Sequence, residues 1–239
     1  LEYLRSRGID LDIINHFRIG LASKDRNLLY KALLEKGYLQ LDMIEVGLLA
    51  GKDKDIDMFR NRIIFPLTNL DGEVVGFSGR KYLENDSEVK YINSSENVIF
   101  KKGNILYNFD KAIEHIKSEN GVILFEGFMD VIAAYRSGVY NIVASMGTAL
   151  TLNQVQAIQR FTDTITICYD GDTPGIEATK KAIDILLKQN MNVAIVSIPE
   201  GLDPDEYLQK YGPEKLKNIL LKARTNAIVY IYETMFLEF

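Results

Sequence analysis

From residue 121 onward the sequence alternates two kinds of apolar spacing, and no other feature limits its folds so strongly. GVILFEG, NIVASMG, TITICYDGD and NVAIVSIPEG are short, nearly continuous apolar runs, whereas FMDVIAAYRSG, TLNQVQAIQRF and TPGIEATKKAIDILLKQN between them recur with helical period. A strand that is apolar on both faces needs cover on both faces. The order strand, helix, strand, helix, strand, helix, strand therefore predicts a largely parallel sheet flanked by helices, an α/β fold. Such sheets hold their ligands outside the carboxyl ends of the strands. Glu126, Asp170 and the segment after Ile198 fall at those ends.

Residues 1–119 have a different pattern. LDIINHF and RNLLYKALLEKG read as helices, RIIFPLTNLDGEVVGFSGR as two strands joined near Asp71-Gly72, and FDKAIEHIKSEN as a helix leading into the sheet. This portion is expected to be a mixed α+β unit. Residues 206–239, with EYLQKYG, EKLKNILLKA and NAIVYIYETMFLEF, read as helical throughout and end as a truncated element would. The expected division is thus 1–119, 120–205 and 206–239. There is no internal repeat and no low-complexity linker.

At 239 residues and 47% apolar content the chain is long enough, and apolar enough, to bury a core, which excludes disorder. No run of about 18 apolar residues and no leader pattern is present, so neither a membrane span nor a signal peptide is expected. The first residue is Leu1 and no Met precedes it, as in a piece of a longer protein. One cysteine, Cys168, excludes an internal disulfide and a cysteine-based zinc site, and fits a reducing cytoplasm. The net charge is −5, divided as −1 over residues 1–119 and −4 over residues 120–239. That balance argues against a broad polyanion-binding face. The acidity of the second half includes the carboxylates that carry the chemistry.

Three acidic clusters follow apolar strands: Glu126-Gly-Phe-Met-Asp130, Asp170-Gly-Asp172 ahead of Gly175, and Gly201-Leu-Asp203-Pro-Asp205-Glu206. Each has a bland reading. Asp-Gly is a common turn pair, Glu126 could charge a helix N-terminus, and Asp203-Pro204 could cap a helix and open its first turn. Together, at one sheet edge, the carboxylates repel one another unless a hard cation is shared or their pKa values rise. Oxygen ligands without His or Cys favour Mg²⁺ or Mn²⁺ over zinc, and such ions reach substrate phosphates, which points to phosphoryl transfer.

The order EGFMDV, YDGDTPG, GLDPDEY resembles the Toprim domain shared by primases, topoisomerases and some nucleases. MFRNRIIFPL, VVGFSGR and KYINSSENVIFKKGNILYN resemble the bacterial replicative DNA primase family in particular, over nearly the whole chain. The resemblance implies an RNA polymerase core that makes short primers from ribonucleoside triphosphates on single-stranded DNA. It implies a Toprim domain preceded by a basic α+β subdomain and followed by a short helical segment. The family's zinc-binding and helicase-binding domains would lie outside this chain, so no zinc is expected in it.

The same resemblance implies site roles. Glu126 matches an acid that acts as a base or helps hold the metal, and Asp170 and Asp172 match paired metal ligands. Asp203 and Asp205 match a third acidic motif that also holds metal. Asp130, one helical turn beyond Glu126, is expected to support the site through hydrogen bonds. Arg7, Arg60, Arg62, Arg80, Lys90 and Lys102 match a basic, nucleotide-binding surface, with Asn93 beside them. Each of these cations could instead be a solvated surface residue, and alternation along NRIIFPL could point Arg60 and Arg62 to one exposed face for solubility alone.

Tyr82, Tyr91 and Tyr107 could stack on unpaired bases, although Tyr91 and Tyr107 sit in apolar contexts that suit core packing. His16 and His115 are assigned no catalysis. The implied partners are the DNA template, the triphosphates and the RNA product. The replicative helicase and single-strand-binding protein would be reached through domains outside this chain. No membrane is involved, and a monomer is expected. Competing readings are a Toprim nuclease, a topoisomerase, a non-catalytic Toprim DNA-binding module and a receiver-like Mg²⁺ switch. A topoisomerase would need a strand-passage domain for its nucleophilic tyrosine, and a receiver would leave residues 1–119 unexplained.

Overall fold

The computed structural model describes residues 2–82, 89–147 and 149–236, so the last three residues of NAIVYIYETMFLEF lie outside the description. The chain divides into two compact units, Leu1–Lys102 and Gly103–Phe239. Packing therefore places the helix Phe109–Glu119 with the second unit.

The first unit is built on an antiparallel sheet in the order Gly20–Ala22, Arg62–Thr68, Val74–Lys81, Tyr91–Asn93. The two long strands are joined where Asn69 Oδ1 accepts the N–H groups of Asp71 (3.1 Å) and Glu73 (3.0 Å), with Gly72 at φ 79°. An Asn side chain standing in for a turn carbonyl, followed by a residue free to take positive φ, closes the predicted hairpin. Ile63, Phe65 and Leu67 alternate inward and are buried, and Phe100 is a fully buried ring lying against Gly76 of the neighbouring strand. Helices Leu11–Phe17, Leu28–Glu35 and Gln40–Glu45 complete this unit, together with the short ladder of Leu49–Ala50 and Ile56–Asp57.

The second unit holds a sheet in the order Ile142–Ala144, Val122–Phe125, Thr164–Ile167, Asn192–Ile195, Thr225–Asn226. The first four strands are parallel, as the apolar runs require, and the last is antiparallel. Ile123, Leu124, Phe125, Ile142, Ile165 and Ile167 are fully buried. Each such side chain contributes roughly 1.5–3 kcal/mol relative to exposure, so strand pairing in this register is strongly held. Helices Phe128–Arg136, Leu152–Gln159 and Thr173–Lys188 connect the strands. The segment read as wholly helical beyond residue 206 is interrupted. Helices Pro204–Tyr211 and Pro213–Lys222 are followed by Thr225–Asn226, which pairs with Ala194 and Ile195 at the sheet edge before helix Ala227–Phe236.

The strand order sets the position of the site. From Val122–Phe125 the chain crosses to Ile142–Ala144 on one side and then to Thr164–Ile167 on the other. The connections leave in opposite directions there, which opens a crevice at the carboxyl ends of Val122–Phe125 and Thr164–Ile167. Among the described residues no helix is long and apolar enough to cross a membrane.

Candidate active site

Glu126 follows the strand Val122–Phe125, and Asp170 follows Thr164–Ile167 by three residues, so the two meet at the crevice. Glu126 Oε1 accepts the backbone N–H of Asp170 at 3.2 Å. Burial raises the pKa of Glu126, and the Asp170 charge raises it further; the Asp170 N–H opposes this, and Asp172 adds a smaller upward push. Asp172 caps helix Thr173–Lys188, its Oδ1 accepting Gly175 N–H at 2.8 Å. The capping and ligand readings are compatible, because the cap occupies one carboxylate oxygen and the residue itself is exposed.

The spacing of DGDTPG has a local cause. A Cβ on Gly175 would stand 2.1 Å from the Asp170 carbonyl oxygen. Only glycine lets the first helical turn close beneath Asp170 and hold it at the crevice.

The third cluster arrives on helix Pro204–Tyr211. Asp203 caps it, with Oδ1 accepting Glu206 N–H at 2.7 Å, while Glu206 Oε2 accepts Asp203 N–H at 3.2 Å. The cap by Asp203 was one reading of Asp203-Pro204 in the sequence; the return bond from Glu206 completes a capping box. The preceding turn carries positive φ at Glu200 (64°) and Gly201 (67°), and Glu200 is tied to Lys210 Nζ at 2.6 Å and to the Tyr211 hydroxyl. Asp205 is only 1% exposed, and its Oδ2 accepts from Gln209 Nε2 at 3.1 Å.

Asp130 lies at the middle of the acids. It is buried in the first turn of helix Phe128–Arg136, and its Oδ2 accepts Gly127 N–H at 3.1 Å. Burial lifts its pKa well above the usual carboxylate range. The charges of Asp170, Asp203 and Asp205 add to that rise, and the Gly127 N–H opposes it. Cys168 and Tyr169 form the buried floor beside them, and burial pushes the Tyr169 hydroxyl up to about 12.

The fold thus brings Glu126, Asp130, Asp170, Asp172, Asp203 and Asp205 to one rim of the second unit, where their ionised forms work against each other. Among the described residues no three of these carboxylates stand ready-made around one point as metal ligands. The hydrogen bonds explain this, since Asp172, Asp203 and Glu126 are each turned toward backbone N–H groups. The donor set still fits a hard divalent ion. It is all oxygen, and an added positive charge would offset the repulsion that, on top of burial, raises Glu126 and Asp130.

The predicted cations belong to the first unit. Arg80, on strand Val74–Lys81, is 6% exposed and lies 5.5 Å from the Tyr3 ring centroid and 5.7 Å from that of Tyr91. Among the described residues its Nε and Nη1 have no hydrogen-bond partner, and neither do Ser78 Oγ and Asn93 Oδ1. Ser78 pairs with Asn93 and Arg80 with Tyr91 across the strands, so these polar groups share one sheet face. Buried polar atoms are rarely left unsatisfied, so this face carries hydrogen-bonding capacity that the described residues do not use. Lys90 is exposed, whereas Lys102 sits in the turn Lys102–Asn104 with its ammonium pKa lowered by burial. Arg60 donates through Nη1 to the Asp57 carbonyl, and Arg7 follows helix Glu2–Ser6.

One expectation changes. Arg62 is not on a solvated face; it is 2% exposed and its guanidinium donates to backbone carbonyls. Tyr107 is core, as its apolar context suited, packed edge-on against Phe128 at 4.7 Å where its segment bridges to Ala144. Tyr82 donates its hydroxyl to Asn61 Oδ1 at 2.9 Å. Ser78 was not singled out from the sequence.

Comparison with known proteins matches these two portions separately. Residues 1–113 match the family of the DNA primase catalytic core, N-terminal domain, and residues 123–208 match the Toprim-like family. A DNA primase of Lactococcus lactis is 44% identical over 234 residues, 97% of this chain and 36% of the relative. The chain therefore spans little more than a third of the length of the curated relatives it matches. Among solved structures, the RNA polymerase domain of Mycobacterium tuberculosis primase DnaG superposes with a TM-score of 0.88 at 29% identity, covering 96% of this chain and 77% of that one. A DnaG primase catalytic domain bound to single-stranded DNA gives 0.88 at 31% identity, covering 99% and 75%. With acids gathered on a Toprim sheet and an N-terminal unit of the primase-core type, the chain belongs to the DnaG family of DNA primases, as part of its catalytic core.

Proposed function

We propose that this chain carries the polymerising centre of a DNA primase, which joins ribonucleoside triphosphates into short RNA on a single-stranded DNA template. The observation that carries the reading is the meeting of Glu126 with the backbone of Asp170 at the crevice, surrounded by carboxylates that resist one another's ionisation. In this reading Asp170 and Asp172 are the principal metal ligands, Asp203 and Asp205 extend the acidic rim, and Glu126 holds metal or accepts a proton. Asp130 supports them by fixing Gly127 and the first helical turn. A bound divalent ion, Mg²⁺ or Mn²⁺ by its oxygen donors, supplies neutralisation of the transferring phosphoryl group and activation of the primer 3′-hydroxyl.

Arg80 grips triphosphate oxygens as a fork, while Lys90, Lys102, Arg7 and Arg60 act as point or fork charges and Asn93 offers its amide. Residues 1–119 then serve nucleotide and template binding, 120–205 catalysis, and 206–239 structural closure. The product is an RNA primer for replication in the cytoplasm. A replicative helicase and single-strand-binding protein act through other parts of the protein, and the chain works as a monomer.

The test is direct. Incubation with single-stranded DNA, Mn²⁺ or Mg²⁺ and labelled ribonucleotides is expected to yield short RNA. Template cleavage without synthesis would overturn the polymerase reading in favour of a nuclease.

A further inference from the structure

The sequence offers Arg62 as one more surface cation, yet the fold buries it. Its Nη1 donates to the carbonyls of Val89 (3.0 Å), Lys90 (3.4 Å) and Gly79 (3.3 Å). The Lys90 carbonyl also accepts the Lys81 N–H at 2.9 Å, so side chain and strand hold the same peptide from two directions. Space for this arrangement comes from Gly79. A Cβ there would meet Arg62 Cδ at 3.0 Å and Phe59 Cδ1 at 2.7 Å, so the missing side chain lets the arginine stem lie flat across the neighbouring strand. A guanidinium whose Nη1 is committed to backbone carbonyls and which is only 2% exposed is poorly placed to bind phosphate itself, and well placed to fix the chain that it grips.

We infer that Arg62 is a positioning residue that anchors the peptide at Val89–Lys90 and thereby presents the exposed Lys90 side chain to the nucleotide. The inference rests on the proposed nucleotide role of Lys90. It differs from a solubility role, which burial excludes, and from a direct phosphate contact, which would make Arg62 and Lys90 act independently. The three contacts with Val89, Lys90 and Gly79 all run through one nitrogen, Nη1. A lysine ammonium at this position keeps the charge and could reach some of these carbonyls, but without the planar guanidinium stem that lies across Gly79.

Two measurements test it. In steady-state primer synthesis with GTP as the varied nucleotide, Arg62→Met is expected to raise KM about five- to ten-fold with kcat within about two-fold, and Arg62→Lys to move KM the same way by less. Adding Lys90→Ala to Arg62→Met should cost nothing beyond Lys90→Ala alone, because residues acting as a unit are not additive. Without nucleotide, amide hydrogen exchange at Lys81, whose N–H bonds the Lys90 carbonyl, is expected to accelerate about ten-fold or more in Arg62→Met and to a lesser extent in Arg62→Lys. Unchanged exchange at Lys81 in both variants, or fully additive effects of Arg62→Met and Lys90→Ala on KM, would overturn the inference. If Lys90→Ala alone leaves the KM for GTP unchanged, the nucleotide reading of Lys90 fails, and exchange at Lys81 still decides whether Arg62 holds the segment.

Discussion

The backbone N–H of Asp170 donates to Oε1 of Glu126 at 3.2 Å, joining residues that stand 44 positions apart in the sequence. The bond fixes the two strand ends at the crevice relative to each other. It also leaves the carboxylate of Asp170 outside that bond, since only its main chain is engaged by Glu126. Chemistry at Asp170 can therefore be tested without removing this link.

Asp170→Asn keeps the backbone N–H and the side-chain volume while removing a charge. Primer synthesis is expected to fall by at least about 10²-fold, the scale seen when one preorganised electrostatic group is lost at a reacting centre. Metal-free stability should hold or rise, because Glu126 and Asp130 lose a repelling neighbour. Retained synthesis at normal thermal stability would remove Asp170 from the mechanism.

Gly175→Ala tests the local geometry. Its Cβ would stand 2.1 Å from the Asp170 carbonyl oxygen, so either the helix start or Asp170 must shift. Overpacking of this kind costs about 1–3 kcal/mol. The expected result is a lower melting temperature together with synthesis reduced by roughly ten-fold or more, since small displacements of positioned groups are felt strongly. A variant with wild-type melting and wild-type synthesis would contradict the assigned role of the glycine.

The buried acid Asp130 gives the metal-free protein a pH dependence of defined sign. Its folded pKa lies well above the unfolded value of about 3.9, and that of Glu126 is also raised, so between these limits the folded state binds more protons than the unfolded one. Stability is then greatest below the unfolded value and declines as pH rises through the folded one. Thermal melting in chelator is expected to occur at higher temperature at pH 5.5 than at pH 8. Asp130→Asn, which still accepts from Gly127, should flatten much of that slope. An unchanged slope in the variant would show that Asp130 is ionised in the fold without penalty.

Metal addition should act on the same repulsion. Mn²⁺ that binds the folded chain and not the unfolded one stabilises it by about 2.7 kcal/mol at a concentration one hundred times Kd. The melting temperature at pH 8 is expected to rise with Mn²⁺, and the rise should shrink in Asp170→Asn. An identical rise in both proteins would place the ion elsewhere.

Much of the second unit could be read directly from the sequence, for a physical reason. A strand covered on both faces is written as an unbroken apolar run, and a helix covering it as a stripe of period 3.6, so Val122–Phe125, Thr164–Ile167 and the acids at their ends announce themselves locally. Thr225–Asn226 does not. Two polar residues carry no period, and they become a strand only because Ala194 and Ile195 offer a free edge for pairing.

Arg62 marks the same boundary. The alternation along RIIFPLT assigns it to a strand, but neither residue type nor spacing states whether that arginine meets water or carbonyl groups from the adjoining strand and the segment leading into the next. That was decided by Gly79, which leaves room for its stem, and by the Val89–Lys90 peptide, which brings the acceptors. Local periodicity thus determined the elements and where the carboxylates lie along them. Which strands are neighbours, how the acids are turned toward backbone amides, and which cation is buried were decided by contacts between residues far apart in sequence, which no local pattern encodes.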